Sequence, residues 1–417
     1  MKLKNIWKLL GPGLLYAGAA VGVSHLVQST RSGAEYGFEL LGILVLANIL
    51  KYPFFEFGPR YAIATGESLI DGYRRIGKWA VILFVILTVS TMFTIQAAVT
   101  VVTAGLIGNV FHLSLSPVQI SGIILFITMM VLMIGRYSVL DKLIKWVIVI
   151  LATSTVVAVV FAIGNGFHPE AQYINHFSWL NKTDIFFLIA FVGWMPAPID
   201  VTVWQSLWTN AKNRQIGYTP KLKDALLDFK IGYFGTAILA ICFLALGAFV
   251  LYGSGETLSS NGVAFAGQLI SMYTSSIGQW AYFFIAAAAI TTMFSTTLTC
   301  LDAYPRVMKK VTDIIIPQIK KKSNIDWETW FWIFIVSSGA LVVLIFFSSS
   351  MRFMVDLATT LSFITAPLLA ILNYLAVTGK HFPKNMRPRL WFRIYAIGGI
   401  VFLLGFTVFY LIWKFYV

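Results

Sequence analysis

Charge is what this chain has least of. Asp, Glu, Lys and Arg together make up 12% of its 417 residues, about half the roughly 25% of soluble domains. An ordinary water-soluble fold is thereby excluded. Acidic residues are the scarcer sign, 17 against 31 basic ones, for a formal net charge of +14. The excess does not point to nucleic acid, because the basic residues fall in short loops between apolar spans and form no single patch. Cysteine is nearly absent: Cys242 and Cys300 lie in or at the end of apolar segments, with no metal-type spacing between them. Neither a disulfide framework nor a thiolate metal site is indicated. No P-loop, nucleophile elbow or HExxH motif occurs, so ATP-driven transport and hydrolysis have no support, and neither enzyme activity nor a cofactor is expected. Long loops are lacking too: those around 164–184, 209–229, 253–277 and 302–327 are too short for a separate soluble domain.

What the chain has instead is apolar sequence, with 58% hydrophobic residues. Eleven segments reach the length of a spanning helix, near 9–30, 36–58, 79–110, 116–135, 138–163, 185–208, 230–252, 278–301, 328–349, 352–377 and 390–416. They predict an all-α membrane protein, a single transmembrane domain over 1–417 embedded in the lipid bilayer. The opening MKLKNIWKLL superficially fits a signal peptide, but AGAA runs on into apolar sequence without a polar cleavage region, so the first span is read as retained. Basic clusters around Lys4, Arg75, Lys142, Lys221, Lys310 and Arg389 occupy alternate loops, whereas the intervening side carries only Arg31, Lys182, Arg352 and Lys414. That alternation puts the N-terminus in the cytoplasm and the C-terminus outside the cell membrane. Spans one to five, about 9–163, and six to ten, about 185–377, then have inverted topology, a LeuT-type five-plus-five arrangement with 390–416 as an extra helix.

Two of these spans are broken. Gly22-Val23-Ser24-His25 interrupts the first, and Met195-Pro196-Ala197-Pro198, followed by Asp200, interrupts the sixth. Unwound backbone survives at membrane depth only where protein buries it or a cavity hydrates it. A pair of breaks in corresponding positions of two halves is a pointer to a transporter's binding site. The candidate binding residues are Gly22, Ser24, His25, Gln28, Met195, Ala197 and Asp200. Asp200 has no basic neighbour in sequence and reads either as a cap of the second half-helix or as a ligand or proton carrier. His25 is open between a packed, hydrogen-bonded ring and a ligand, and Met195 between packing and a thioether ligand. Other charges have structural readings. Asp141 with Lys145, Asp302 with Arg306, and Arg352 with Asp356 have the spacing of helical ion pairs. Lys51 and Glu56 are expected to snorkel or pair near the cytoplasmic end of span two. Ser295, Thr296 and Thr297 in span eight, and Thr359, Thr360 and Ser362 in span ten, serve packing or line a path.

Several stretches bear a resemblance. GPGLLYAGAA at 11–20, IATGESLIDGYRRIGKW at 63–79, GRYSVLDKLIKWVIVILA at 135–152 and MP at 195–196 are similar to segments of the NRAMP family of divalent-metal transporters. The resemblance implies the same five-plus-five fold with an added span, and transport of a divalent metal cation such as manganese, coupled to a proton or another ion, by alternating access. It also marks departures. The family's first break reads DPGN, where this chain has Gly22, Val23, Ser24 and His25, and its MPH is here MP followed by Ala197. Acidic residues of the family's third span have no counterpart, since 79–110 contains no Asp or Glu. Of the family's ligands only Met195 has a direct match; for a metal, Asp200 would supply the negative charge, and His25, Met195, Ser24 and backbone carbonyls would complete the shell. An alternative substrate on the same scaffold is an anionic or small organic solute, held at the positive half-helix end of Gly22-Val23-Ser24, with Asp200 binding a coupling cation or an amine. A sensor or scaffold that binds without transporting would instead use loops 209–229 and 302–327.

Overall fold

The computed structural model describes residues 11–134, 137–167, 169–316, 327–347 and 350–416. Among the described residues there are helices and no strands. The first apolar segment is split. Helix α1 (Pro12–Ala20) begins with proline in its first turn, where the fixed φ suits a helix and the missing N–H costs nothing. From α10 (Leu222–Val250) the Asp228 carboxylate caps this start, accepting from the Gly11 N–H at 3.2 Å and the Gly13 N–H at 2.7 Å. After Val21 and Gly22 the chain re-enters a helix as a π-helical turn over Ser24–Ser29 and continues as α2 (Thr30–Tyr36). Gly37, with φ of +57°, ends it. The first span, expected over 9–30, thus runs on to Tyr36, and the next, expected at 36–58, is displaced to α3 (Leu41–Thr65).

Helix α4 (Leu69–Ile76) follows, started by a reciprocal capping box between Ser68 and Asp71. Then come α5 (Lys78–Val110), α6 (Pro117–Ile134) and α7 (Tyr137–Asn165). The sixth segment divides into α8 (Lys182–Trp194) and α9 (Asp200–Ile216). Pro196 and Pro198 explain the gap: neither has an N–H, so the carbonyls of Val192 and Trp194, four residues earlier, lose their helical donors. Beyond α10 lie α11 (Gly262–Ile277), α12 (Tyr282–Ile315), α13 (Trp327–Phe347), α14 (Met351–Thr378) and α15 (Leu390–Tyr416). Helices α4 and α11 fall where loops were expected. Both are shorter than the about 20 apolar residues by which spans are recognised, and α11 is set by Asn261, whose side chain accepts from the Val263 and Ala264 N–H groups.

Seven helices, α3, α5, α10, α12, α13, α14 and α15, are long and apolar enough to cross a bilayer among the described residues. The chain is a multi-pass membrane protein. Helices α13 and α15 are peripheral: 28% of each apolar window is buried inside the protein, against 56–72% for the other five. The broken helices are central, α1 packing on α7, α9, α10 and α12, and α8 on α14. Helices α2 and α10 touch backbone to backbone. A β-carbon on Gly33 would lie 1.9 Å from the Leu244 carbonyl oxygen, and one on Gly247 2.3 Å from that of Thr30, the close approach that small residues permit in membranes.

Candidate functional site

The two breaks face one cavity. Ala20 and Ser24 line it from the first break, Trp194 and Pro198 from the second, and Thr296 and Cys300 from α12. About 20 Å³ is open to the centre of a water-sized sphere, room for one water or one bare ion. Gly22 lets α12 approach this closely, since a β-carbon there would stand 2.8 Å from the Thr296 methyl and hydroxyl.

Both half-helices that end at the breaks expose carbonyls, and side chains from elsewhere meet them. At the end of α1 the Thr296 hydroxyl lies 3.1 Å from the Gly18 carbonyl and 3.4 Å from that of Val21, sharing its proton with Thr292 O at 3.0 Å. At the end of α8 the Lys51 ammonium, from the middle of α3, donates to Val192 O at 2.5 Å and Gly193 O at 3.0 Å. Lysine in mid-membrane costs about 2.5–3.5 kcal/mol on insertion scales, and the dipole end of α8 offsets part of that. Thr296→Val should leave the α1 carbonyls without that donor at a cost of about 1–3 kcal/mol. A lowered Tm of the purified variant checks it, and an unchanged Tm contradicts it.

The sequence-derived candidates are dispersed over this region. Ser24 lines the cavity. His25 is buried, with Nε2 2.9 Å from Thr236 O and Nδ1 2.7 Å from Ser24 Oγ. A carbonyl only accepts, so Nε2 donates, and in the neutral ring Nδ1 can only accept; the Ser24 hydroxyl beside it also donates to Ala20 O, so its one proton is shared between the two. Nε2 thus has no lone pair for a cation, and Nδ1 is covered by the Ser24 hydroxyl in this conformation. Met195 is buried, its sulfur facing the Ser29 hydroxyl at 3.8 Å, and Ala197 is buried beside it. Asp200 lies in the first turn of α9, between the cavity-lining Pro198 and Val201, and accepts from Thr91 Oγ1 at 3.2 Å. Asp200, His25 and Met195 therefore engage different neighbours, and no group of three or more His, Cys, Asp and Glu side chains among the described residues is placed to hold a metal ion. Gln28 points elsewhere, donating to Asp356 Oδ1 at 3.2 Å.

Two groups of ion pairs tie the helices together, one around Arg31 and one around Arg306 and Lys310. Towards α2, Arg31 contacts Asp356 at 2.8 Å, accompanies Glu35 at 3.6 Å and stacks over Phe187 at 4.7 Å, while Arg352 reaches Glu35 at 2.9 Å. The expected pair of Arg352 with Asp356 is thus replaced by two tertiary pairs. Towards the start of α1, Asp302 pairs with Arg306 at 2.7 Å, as its spacing indicates, and accepts from Trp208 Nε1. Lys310 bridges to Asp71 at 2.8 Å. Glu56 pairs with Arg60 at 2.6 Å, but its expected companion Lys51 turns inward to α8. The side chains of Asp141 and Lys145 lie outside the described residues.

Two features escaped sequence reasoning. Lys51 is one; its signal was a lysine ten residues inside α3, too deep to snorkel. Gln205 is the other, fully buried on α9 one residue past the cavity-lining Trp204, with neither amide atom bonded among the described residues. Such an orphaned group marks a place for water or an ion.

Two broken helices that share a cavity at their breaks are the architecture of a secondary transporter. The chain belongs to the family described as Natural resistance-associated macrophage protein-like, whose model matches residues 13–414. It is 38% identical over 408 residues to an uncharacterized protein of Pasteurella multocida, covering 96% of this chain and 91% of that one. It is 22% identical over 423 residues to the divalent metal cation transporter MntH of Staphylococcus haemolyticus, covering 97% and 91%. The fold is similar to the crystal structure of an Eremococcus coleocola manganese transporter, with a TM-score of 0.71 and 12% identity over 97% of this chain and 86% of that one. That likeness makes the bundle a LeuT-type fold with discontinuous first and sixth spans.

Proposed function

We propose that this protein is a secondary-active transporter that moves a divalent metal cation of the manganese kind across the cell membrane. The observation that carries the reading is the cavity shared by the two helix breaks, with room for one bare ion. The family and the naming of a full-length relative as a divalent metal cation transporter support the substrate class. Alternating access rocks the broken helices against the rest, with repeats over about 9–163 and 185–377 and 390–416 outside them. On this reading the N-terminus and the α1 end of the cavity face the cytoplasm and the C-terminus and the α2 end face outside, which the distribution of basic loops supports. Ser24, Thr296 and backbone oxygens of the breaks contact the cation, and Asp200, one residue from the lining, supplies the negative charge and a place for a coupling proton or cation.

Manganese uptake into proteoliposomes with an internal metal dye tests this. Saturable uptake by the wild-type protein, lost in Asp200→Ala while that variant stays monodisperse, is the expected result. Full activity of the variant removes Asp200 from the site. A second reading, an anionic or small organic solute, is favoured by one observation: among the described residues no carboxylate lines the cavity. Saturable anion uptake without metal dependence would support it.

A further inference from the structure

We propose that Lys51 is a tethered cation: its ammonium occupies the carbonyl cradle at the end of α8, where this architecture otherwise holds a mobile cation, so the transporter works without a bound ion at that place. In discontinuous membrane helices, carbonyl ends of half-helices coordinate small cations. Here that end is made by sequence. Pro196 has no N–H to give Val192 O, whose remaining backbone donor is the Met195 N–H at 3.3 Å. Lys51 Nζ completes the cradle at Val192 O and Gly193 O. Two further observations make this more than a surface lysine reaching inward. Lys51 is 0% exposed, and no carboxylate stands within ion-pair distance of it among the described residues. Its positive charge is balanced by backbone oxygens and the negative end of the α8 dipole, the same field that would attract a free ion. The lysine is itself held in place: its helix is fixed to α10 one turn earlier, where the Tyr233 hydroxyl donates to Asn48 O at 2.6 Å. A covalently attached cation cannot leave, so this cradle contributes no ion to coupling, and the transported cation is kept to the cavity between Ser24 and Thr296.

The assignment predicts that removing the ammonium creates a site for a dissolved cation. The test is the melting temperature of detergent-purified wild-type protein and Lys51→Ala in sodium, potassium and methylammonium chloride, each against choline chloride at equal ionic strength. Any rise that the wild-type protein shows in a smaller cation, as from a coupling cation at Asp200, should recur unchanged in Lys51→Ala. Lys51→Ala should melt lower in choline and gain a saturable rise of about 2–4 °C in at least one of the smaller cations, as binding to the native state requires. Folded Lys51→Ala that melts identically in all four salts overturns the proposal, as does a wild-type protein that shifts as much as the variant. Should Lys51→Ala not fold, Lys51→Gln, which keeps amide donors without the charge, is expected to fold and show the cation-dependent rise; its absence there overturns the proposal equally. The readout contains no transported metal, so its failure is separable from failure of the manganese reading.

Discussion

Replacing Arg31 with methionine is expected to lower stability by about 3–5 kcal/mol and to open the α2 end of the cavity. Arg31 is 2% exposed, and it joins the first span to α14 through Asp356 at 2.8 Å and to its own helix through Gln28 Oε1 at 2.9 Å. Without it Asp356 keeps Gln28 Nε2 at 3.2 Å but no cation. A buried carboxylate stripped of its partner is worse than no pair at all, because its desolvation is uncompensated. The double variant Arg31→Met, Asp356→Leu should therefore recover much of the lost stability, since it removes both charges together. Thermal melting of the two variants checks this. A single variant that melts with the wild-type protein, or a double variant no better than the single, contradicts the role given to the pair.

Gly13→Val is expected to hold the opposite end apart. A β-carbon at Gly13 would lie 2.1 Å from the Asp228 carbonyl oxygen, and one at Gly232 would lie 2.1 Å from the Gly13 carbonyl oxygen. Helix α1 thus rests on α10 through two glycines, with Asp228 capping its first N–H groups. Overpacking costs about 1–3 kcal/mol, which displaces a two-state equilibrium by roughly 5–150-fold. The closed state is the one that valine penalises. Cys300 reports the change: it is 3% exposed and lines the cavity. In a Cys242→Ser background, Gly13→Val should accelerate maleimide modification of Cys300 and depress uptake by a similar factor. Unchanged modification of Cys300 in a folded variant would mean that α1 does not seal this end.

The breaks were legible because their causes are local. Proline removes a donor wherever it stands, and glycine beside serine and histidine in an apolar run is a departure that periodicity exposes. Membrane character, the interrupted first and sixth spans and the Asp302 pair with Arg306 followed from such local rules. Interactions across the chain did not. Arg352 and Asp356 have ideal helical spacing, yet each finds a better partner on the first span, Glu35 and Arg31, because the fold brings α2 against α14 there. Lys51 was misplaced for the same reason. Snorkelling assumes that a lysine's alternative is hydrocarbon, whereas here it is a carbonyl cradle 141 residues away in sequence, opened by prolines on another helix. His25 shows the reverse case: its position at the break was legible, but its two bonded nitrogens depend on Thr236 of α10. Helices α4 and α11 were missed because they fall below span length while still burying an apolar face.

Manganese entry into dye-loaded proteoliposomes, compared between wild-type protein and Ala20→Leu, tests most directly whether a divalent cation passes through the cavity at the two breaks. Ala20 is 1% exposed and lines a space with room for about one water, so the added isopropyl group would occupy the place of the cation. Saturable uptake by the wild-type protein, reduced roughly 5–150-fold in a monodisperse Ala20→Leu protein, is the predicted result. Equal uptake by both proteins, or wild-type uptake no greater than that of protein-free vesicles, would contradict it.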